Sequence, residues 1–516
     1  MKRWLKRLGW LALAMGLLPL LLVAWEHFRG SNALERRVKE LSAHGEVFSV
    51  AKLEPRHPAP EENIFTVLSA ISNQVDGVLK SSQRFPPILR FAMPGKAVVS
   101  WRLASWGDDE KTTNNWTEIA AALAGGGDVL PRLQEASRRT AYDSGFNYRK
   151  GFADYETPPV VLYKKAVQLL RVATLLELSR GNDEAARKHL HAMIALVVKD
   201  KAELLLISQM LRQTCAVLSF ATTWQALQSP GWNDDQLADL QSAWADCDFI
   251  GDIFATLEME RAMTLDLYTQ VKSSSKNEDL IMARQNDVRE SLEDLFGTGR
   301  INGTLFLRIN VPLWRVAWAD QDELRSLNEW QGIIEHARRV RSGHWVTPPA
   351  ALDGGTQSDF SRALDNAFSP KKLSWRESYN RFRFIFSGDG PSVTANTIRA
   401  ACEAQTLERL AVTAIALKRY QLRSKQWPPR LDDLVPGLLL QLPIDPMDGR
   451  SLRYHREGQG FNLYSVGRDG RDDGGDATRA SSREEYTFVV DGRDMVWPVP
   501  ATDAEAAEAM KPGKRK

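Results

Sequence analysis

The uncharged run "LGWLALAMGLLPLLLVAW", from Leu8 to Trp25, follows directly on the basic opening "MKRWLKR" and limits what the chain can become. As a helix, eighteen residues rise about 27 Å, enough to cross a hydrocarbon core. Four cations stand before the run and none within it, so the positive-inside rule puts the N-terminus in the cytoplasm and everything after Glu26 outside it. A cleaved signal peptide is the competing reading, yet its best cleavage site, Ser31-Asn32-Ala33, lies behind charged residues and far from the run. No cysteine stands near enough for a lipid anchor. The expectation is a single-pass signal anchor, with the lipid bilayer as partner through Leu8 to Trp25.

Behind that run the chain is long enough, at 516 residues, for several packed units. Its 67 basic and 65 acidic residues balance and interleave, which argues against a nucleic-acid partner. Cys215, Cys247 and Cys402 are scattered and odd in number, so they read as buried thiols and not as a disulfide or zinc framework.

Helical periodicity dominates. Residues 1–30 form the cytoplasmic stub and anchor, and 31–115 a helical and mixed connecting region in which Leu34, Val38 and Leu41 share one helix stripe. A second helix is expected just after Pro60, and "KAVVSW" as a short strand. Residues 116–345 read as an α-helical array. There "VVLYKKAVQLLRVATLLELSRG" stops at Gly181 and a new helix starts with Asn182 as its cap, a hairpin of tetratricopeptide-like layout. Trp314 and Trp318, four apart, share a face and read as packing residues. Residues 346–391 are linker and short helices, 392–500 a long helix followed by short strands and turns, and 501–516 a charged tail.

Chemical motifs are scarce. The chain has no GxGxxG, GxxxxGK[ST], GxSxG or HExxH. His189 and His191 lie two apart on a helix, pointing to different sides as surface histidines. On "FIGDIFATLEMERAMTLDLY", Arg261 falls within the apolar stripe, three residues after Glu258, so a buried ion pair with Glu258 or another carboxylate between packed helices is expected. Glu258 and Glu260 are weak catalytic candidates, either as a general acid in a helical cleft, with Asp252 as a second carboxylate.

The C-terminal order is more specific. A long helix, then "WPPRLDDL", "LPIDPMDGRSLRY" and "FNLYSVGRDG", resembles the C-terminal part of the major pseudopilins of type II secretion systems, over about Ala404 to Asp476. The whole chain resembles a broader group of bacterial membrane-anchored helical proteins with this ending. In pseudopilins the loop after that motif binds calcium. The resemblance therefore implies calcium at Asp469, with Asp472, Asp473 and Asp476 beside it, since calcium takes several hard oxygens and glycines let carbonyls turn inward. Two departures matter. "DATRASSREEY" stands where the family's second acidic cluster would complete the site, leaving Asp476 with Glu484 or Glu485, and the spacing is not that of an EF-hand. On its residues alone the stretch reads equally as a glycine-rich solvated hairpin. The opening helix also lacks the pseudopilin glutamate, so no pilin-like processing or polymerisation is expected.

The fold expected is mainly α: a transmembrane helix, a large helical-hairpin array and a small C-terminal α+β pseudopilin-like module. The function expected is that of an extracytoplasmic scaffold or protein-interaction protein of the bacterial inner membrane, working with an envelope protein partner beside a secretion or pilus-like system. The alternative is an envelope-polymer (wall glycan) hydrolase using a carboxylate of the helical region.

Overall fold

The computed structural model describes residues 2–81, 85–107, 113–152, 159–199, 203–273, 311–343, 383–384, 386–387, 390–458, 460–478 and 489–511. Most of the expected linker 346–391 and the pair Glu484 and Glu485 lie outside these residues, as do the side chains of Leu8, Gly9 and residues 11–16.

The chain is mainly helical. Helix α1 (Lys2–Ala43) continues without a break through the stretch expected as a separate short helix. A single turn, α2 (Val50–Leu53), follows. The helix expected after Pro60 begins at Ile64, where the Asn63 side chain caps it, and divides at Ile71 into α3 (Ile64–Ala70) and α4 (Ser72–Ser81). Helices α5 (Trp116–Gly125) and α6 (Val129–Arg138) lead to the central hairpin of α7 (Val160–Ser179) and α8 (Asp183–Lys199). Its turn has the chemistry the sequence offered. Gly181 takes φ +72°, open to glycine at no steric cost, and the Asn182 side chain accepts from Ala185 N at 3.4 Å.

Three more helices, α9 (Leu206–Leu227), α10 (Asp234–Ala245) and α11 (Phe249–Ser273), continue the array. A wide π turn, Trp314–Trp318, opens α12 (Ala319–Ser342) and buries both tryptophans as packing residues. Helix α13 (Gly390–Ser424) is the expected long helix and ends before Trp427 and the proline pair.

Strands are short. "KAVVSW" contributes only Lys96–Ala97 before the chain turns. The first sheet contains β1 (Phe91–Met93) and β2 (Lys96–Ala97); a second pair is β3 (Ser105–Trp106) and β4 (Asn114–Asn115). The C-terminal sheet is antiparallel: β5 (Arg453–Glu457), β6 (Gly460–Ser465) and β7 (Met495–Val496), in that order, with Tyr454 opposite Leu463. Strand β8 (Val499–Pro500) then leaves it and pairs in parallel with β2, and a last helix, α14 (Asp503–Ala509), closes the described chain.

One hydrophobic cluster runs from Ile64 to Trp497, so the segments divided in the sequence share a core. Helix α13 lies against α9 and α10, and its Gln405 accepts from Phe249 N at 2.9 Å. Trp497 meets Phe220 edge to face, and Trp224 Nε1 donates to Pro498 O at 2.7 Å. The β module is therefore stitched to the helical array by side chains more than 270 residues apart.

Candidate functional site

Helix α1 changes character along its length. Leu17, Leu18, Leu20, Leu21 and Leu22 are exposed, as are Trp25 and Phe28 at 65% and 64%. From Glu26 onward the same helix is fastened to α12. Gln321 Nε2 donates to the Glu26 carboxylate at 2.6 Å, His27 Nδ1 meets Val316 O at 2.9 Å, and Arg37 Nε donates to Asn328 Oδ1 at 3.0 Å. Leu34, Val38 and Leu41, the stripe read from the sequence, pack on Leu265 and Leu327. Gly30 permits the closest approach: a Cβ there would stand 2.8 Å from Gln321 Cγ. Among the described residues no helix is long and apolar enough to cross a membrane.

Beside Gly30, an open cleft of about 710 Å³ holds three arginines, Arg29, Arg325 and Arg383. Arg29 Nη2 donates to Gln321 at 3.0 Å and pairs with Glu26 at 2.8 Å. Arg325 Nε pairs with Glu329 at 2.9 Å, and Arg383 donates to Gln321. Both Arg325 and Arg383 lie on the ring of Phe384, at 4.8 and 4.7 Å. Arg383 Nε is buried with no hydrogen-bond partner. Among the described residues three cations thus meet two carboxylates, an arrangement that favours an anion.

The buried ion pair expected for Arg261 is present, with Glu46 and not Glu258 as its partner. Arg261 is fully buried, as expected, but Nη1 donates to Glu46 at 2.8 Å and to Gln331 at 2.5 Å, while Phe48 stacks at 4.7 Å from the guanidinium carbon. Arg338 Nη1 reaches the same carboxylate at 2.5 Å. Glu258 instead stands 3.8 Å from Arg338. Burial pushes the Glu46 carboxyl up, but hydrogen bonds from Arg338, Arg261 and Gln331 outweigh it and hold the group down at about 2. Glu46 had no local signal. It lies 215 residues from Arg261, in an irregular stretch after α1.

The other carboxylate candidates are structural in their contacts. Glu260 accepts from Leu206 N at 2.7 Å, closing the N-terminus of α9, and burial pushes its carboxyl up to about 7. Asp252 pairs with the buried Arg212 at 2.7 Å. A further buried acid, Glu203, takes Ser208 Oγ at 2.6 Å and Ser144 Oγ, and burial raises it too. His189 is not on the surface as expected. It is buried, 3.2 Å from Gln134 Nε2, and burial lowers its basicity and that of His191.

The acidic loop turns on a residue that the motif does not contain. Asp494, fully buried, accepts from Gly475 N at 2.7 Å, Asp476 N at 3.1 Å and Asp473 N at 3.4 Å. Burial raises its carboxyl, and these amides only partly offset the rise. Asp472 takes the Tyr464 hydroxyl at 3.0 Å and pairs with Arg453 at 3.3 Å. Asp476 takes Thr478 Oγ1 at 2.8 Å, and Asp469, among the described residues, takes only Arg471 N, at 3.0 Å. So amide hydrogens point to the middle of the loop where a calcium cage needs oxygens. As placed, the four aspartates do not converge, and no group of three potential metal ligands meets among the described residues.

No family model matches the chain, and no curated protein or solved structure matches it.

Proposed function

We propose that the protein is a single-pass component of the bacterial inner membrane whose extracytoplasmic body acts as a scaffold or protein-interaction platform in the envelope. The carrying observation is α1. Its side chains Leu17, Leu18, Leu20, Leu21, Leu22 and Trp25 are exposed, while the same helix from Glu26 on is bound to α12 by side-chain hydrogen bonds and an apolar stripe. Water is a poor solvent for the first part, and a bilayer removes that cost. The N-terminus then lies in the cytoplasm and the helical array with its pseudopilin-like module outside it. The resemblance of that module to pseudopilins supports a role beside a secretion or pilus-like machine, with an envelope protein as partner.

Alkaline carbonate should leave the full chain in the membrane pellet with Met1 intact. A mature N-terminus near Leu34 would remove the anchor, and protection of the body from protease in spheroplasts would reverse the topology. Site-specific cross-linking from the β5–β7 sheet in cells should then trap one discrete envelope protein; a sheet that cross-links to nothing argues against the platform.

A second reading, wall-glycan hydrolysis, draws on the buried Glu260, whose carboxyl near 7 is in the range of a general acid. Release of soluble glycan fragments by the purified chain, lost in Glu260→Gln, would favour it. Calcium at Asp469, Asp472, Asp473 and Asp476 is carried by the resemblance alone, and binding would require those carboxylates to leave their present partners.

A further inference from the structure

We infer that the cleft between α1 and α12 receives the phosphate of an anionic phospholipid headgroup, with Arg29, Arg325 and Arg383 as its donors. The inference rests on the reading of Leu8 to Trp25 as a membrane span and adds to it a lipid preference.

Depth comes first. Arg29 lies four residues beyond Trp25, about 6 Å along the helix axis. The headgroup layer on each side of the hydrocarbon core is about 5–7 Å deep. Trp25 and Phe28, both exposed, are aromatic residues of the kind that settle at that boundary. The Arg29 end of the cleft therefore lies at the level of the lipid phosphates, and the rest of the cleft, lined by Ala33 and Asn328, extends outward from it.

Chemistry comes second. Arg29, Arg325 and Arg383 each commit one nitrogen to the contacts described, Nη2, Nε and Nη2 respectively. Donors remain on all three side chains. Phe384 holds two guanidiniums against one ring, so planar donors are fixed before any ligand arrives. Among the described residues Glu26 pairs with Arg29 and Glu329 with Arg325, while Arg383 meets the neutral Gln321, so its charge is one that a phosphodiester can neutralise. A cleft of about 710 Å³ has room for a headgroup. A zwitterionic headgroup would bring a second cation into a site already rich in them.

The test uses the full chain in vesicles of phosphatidylcholine alone or mixed with phosphatidylglycerol, read by flotation and by the lipid retained in native mass spectrometry. The protein should float with both, and should retain phosphatidylglycerol over phosphatidylcholine. Arg325→Gln and Arg383→Gln should each float unchanged and lose about fivefold of that preference, the worth of one arginine near an anionic surface. Arg325 is half-exposed, so its variant carries the test if Arg383→Gln fails to fold. Inorganic phosphate added to the phosphatidylcholine sample distinguishes the source. Thermal stabilisation by phosphate equal to that by phosphatidylglycerol would make this a free-phosphate site and overturn the lipid assignment. Flotation with equal retention of both lipids overturns the headgroup site while leaving the anchor intact, whereas failure to float overturns both.

Discussion

Two carboxylates, Glu46 and Asp494, each gather three donors, and they do so in opposite ways. Glu46 draws the side chains of Arg261, Gln331 and Arg338 from α11 and α12, across 215 to 292 residues. Asp494 draws backbone amides from a single loop 18 to 21 residues away. Side-chain hydrogen bonds from Arg338, Arg261 and Gln331 hold Glu46 at about 2, whereas burial raises Asp494 and its amide hydrogen bonds offset that only in part. The first carboxylate fastens helices to one another; the second only shapes a turn. Charge complementarity over long range carries tertiary structure here, and local dipoles carry local form.

Cutting the first centre should have the largest effect. Glu46→Ala leaves Arg261 buried with its charge uncompensated, at a cost of about 3–5 kcal/mol in chemical denaturation. Glu46→Leu combined with Arg261→Met should cost less than Glu46→Ala alone, because no charge is then left unpaired. Glu46's carboxyl lies below its ordinary 4.5, so the stability it contributes is full above that pH and is lost as pH falls towards about 2. Equal, negligible costs for both variants would dissolve the contrast with Asp494.

Glu260 supplies a carboxylate with no cation at all. Its carboxyl is raised from 4.5 to about 7, so the folded state bears the cost of ionising it above pH 7, and the cost fades as pH falls to 4.5. Glu260→Gln keeps an acceptor for Leu206 N and should stabilise by about 3 kcal/mol at pH 8, with almost no effect at pH 4.5. A pH-independent change in melting temperature would show that Glu260 is not buried as an acid.

Asp494→Ala comes next. It strips an acceptor from the amides of Asp473, Gly475 and Asp476, and water can reach part of the loop, so about 2 kcal/mol is expected. Hydrogen exchange should quicken in residues 473–476 and stay unchanged in α11. Quickening in α11 as well would mean that the loop, like Glu46, holds distant elements.

Elements with short-range signals were legible: the apolar run, the stripe of Leu34, Val38 and Leu41, the turn at Gly181 and Asn182, and the end of α13. Arg261 was legible as a buried cation because it interrupts a stripe. Its partner was not, since Glu46 sits in an irregular stretch whose proximity arises only when α1 folds back along α12. Glu258, the neighbour chosen by spacing, failed because i,i+3 proximity says nothing of which face another helix covers. The same limit hid Asp494 behind the aspartate-rich run, and Arg383 with Phe384 behind a composition that reads as linker.

Asp469 offers the smallest effect and decides the calcium question. It is exposed and bonds only to Arg471 N, so without metal Asp469→Ala should change stability by less than about 0.5 kcal/mol. Asp472, held by Tyr464 and Arg453, and Asp476, held by Thr478, have more to give up before turning inward. If the loop takes calcium, Asp469 is therefore the side chain that turns most readily. A tenfold excess of calcium over Kd would then stabilise the full chain by about 1.4 kcal/mol, through binding to the folded state alone. Magnesium should substitute poorly, because it demands a smaller and stricter octahedron. Melting curves of the full chain in calcium and in chelator should differ for the natural sequence and coincide for Asp469→Ala. Curves that coincide for both would leave Asp494 as the sole organiser of the loop, with the aspartates around it serving as solvated turn residues.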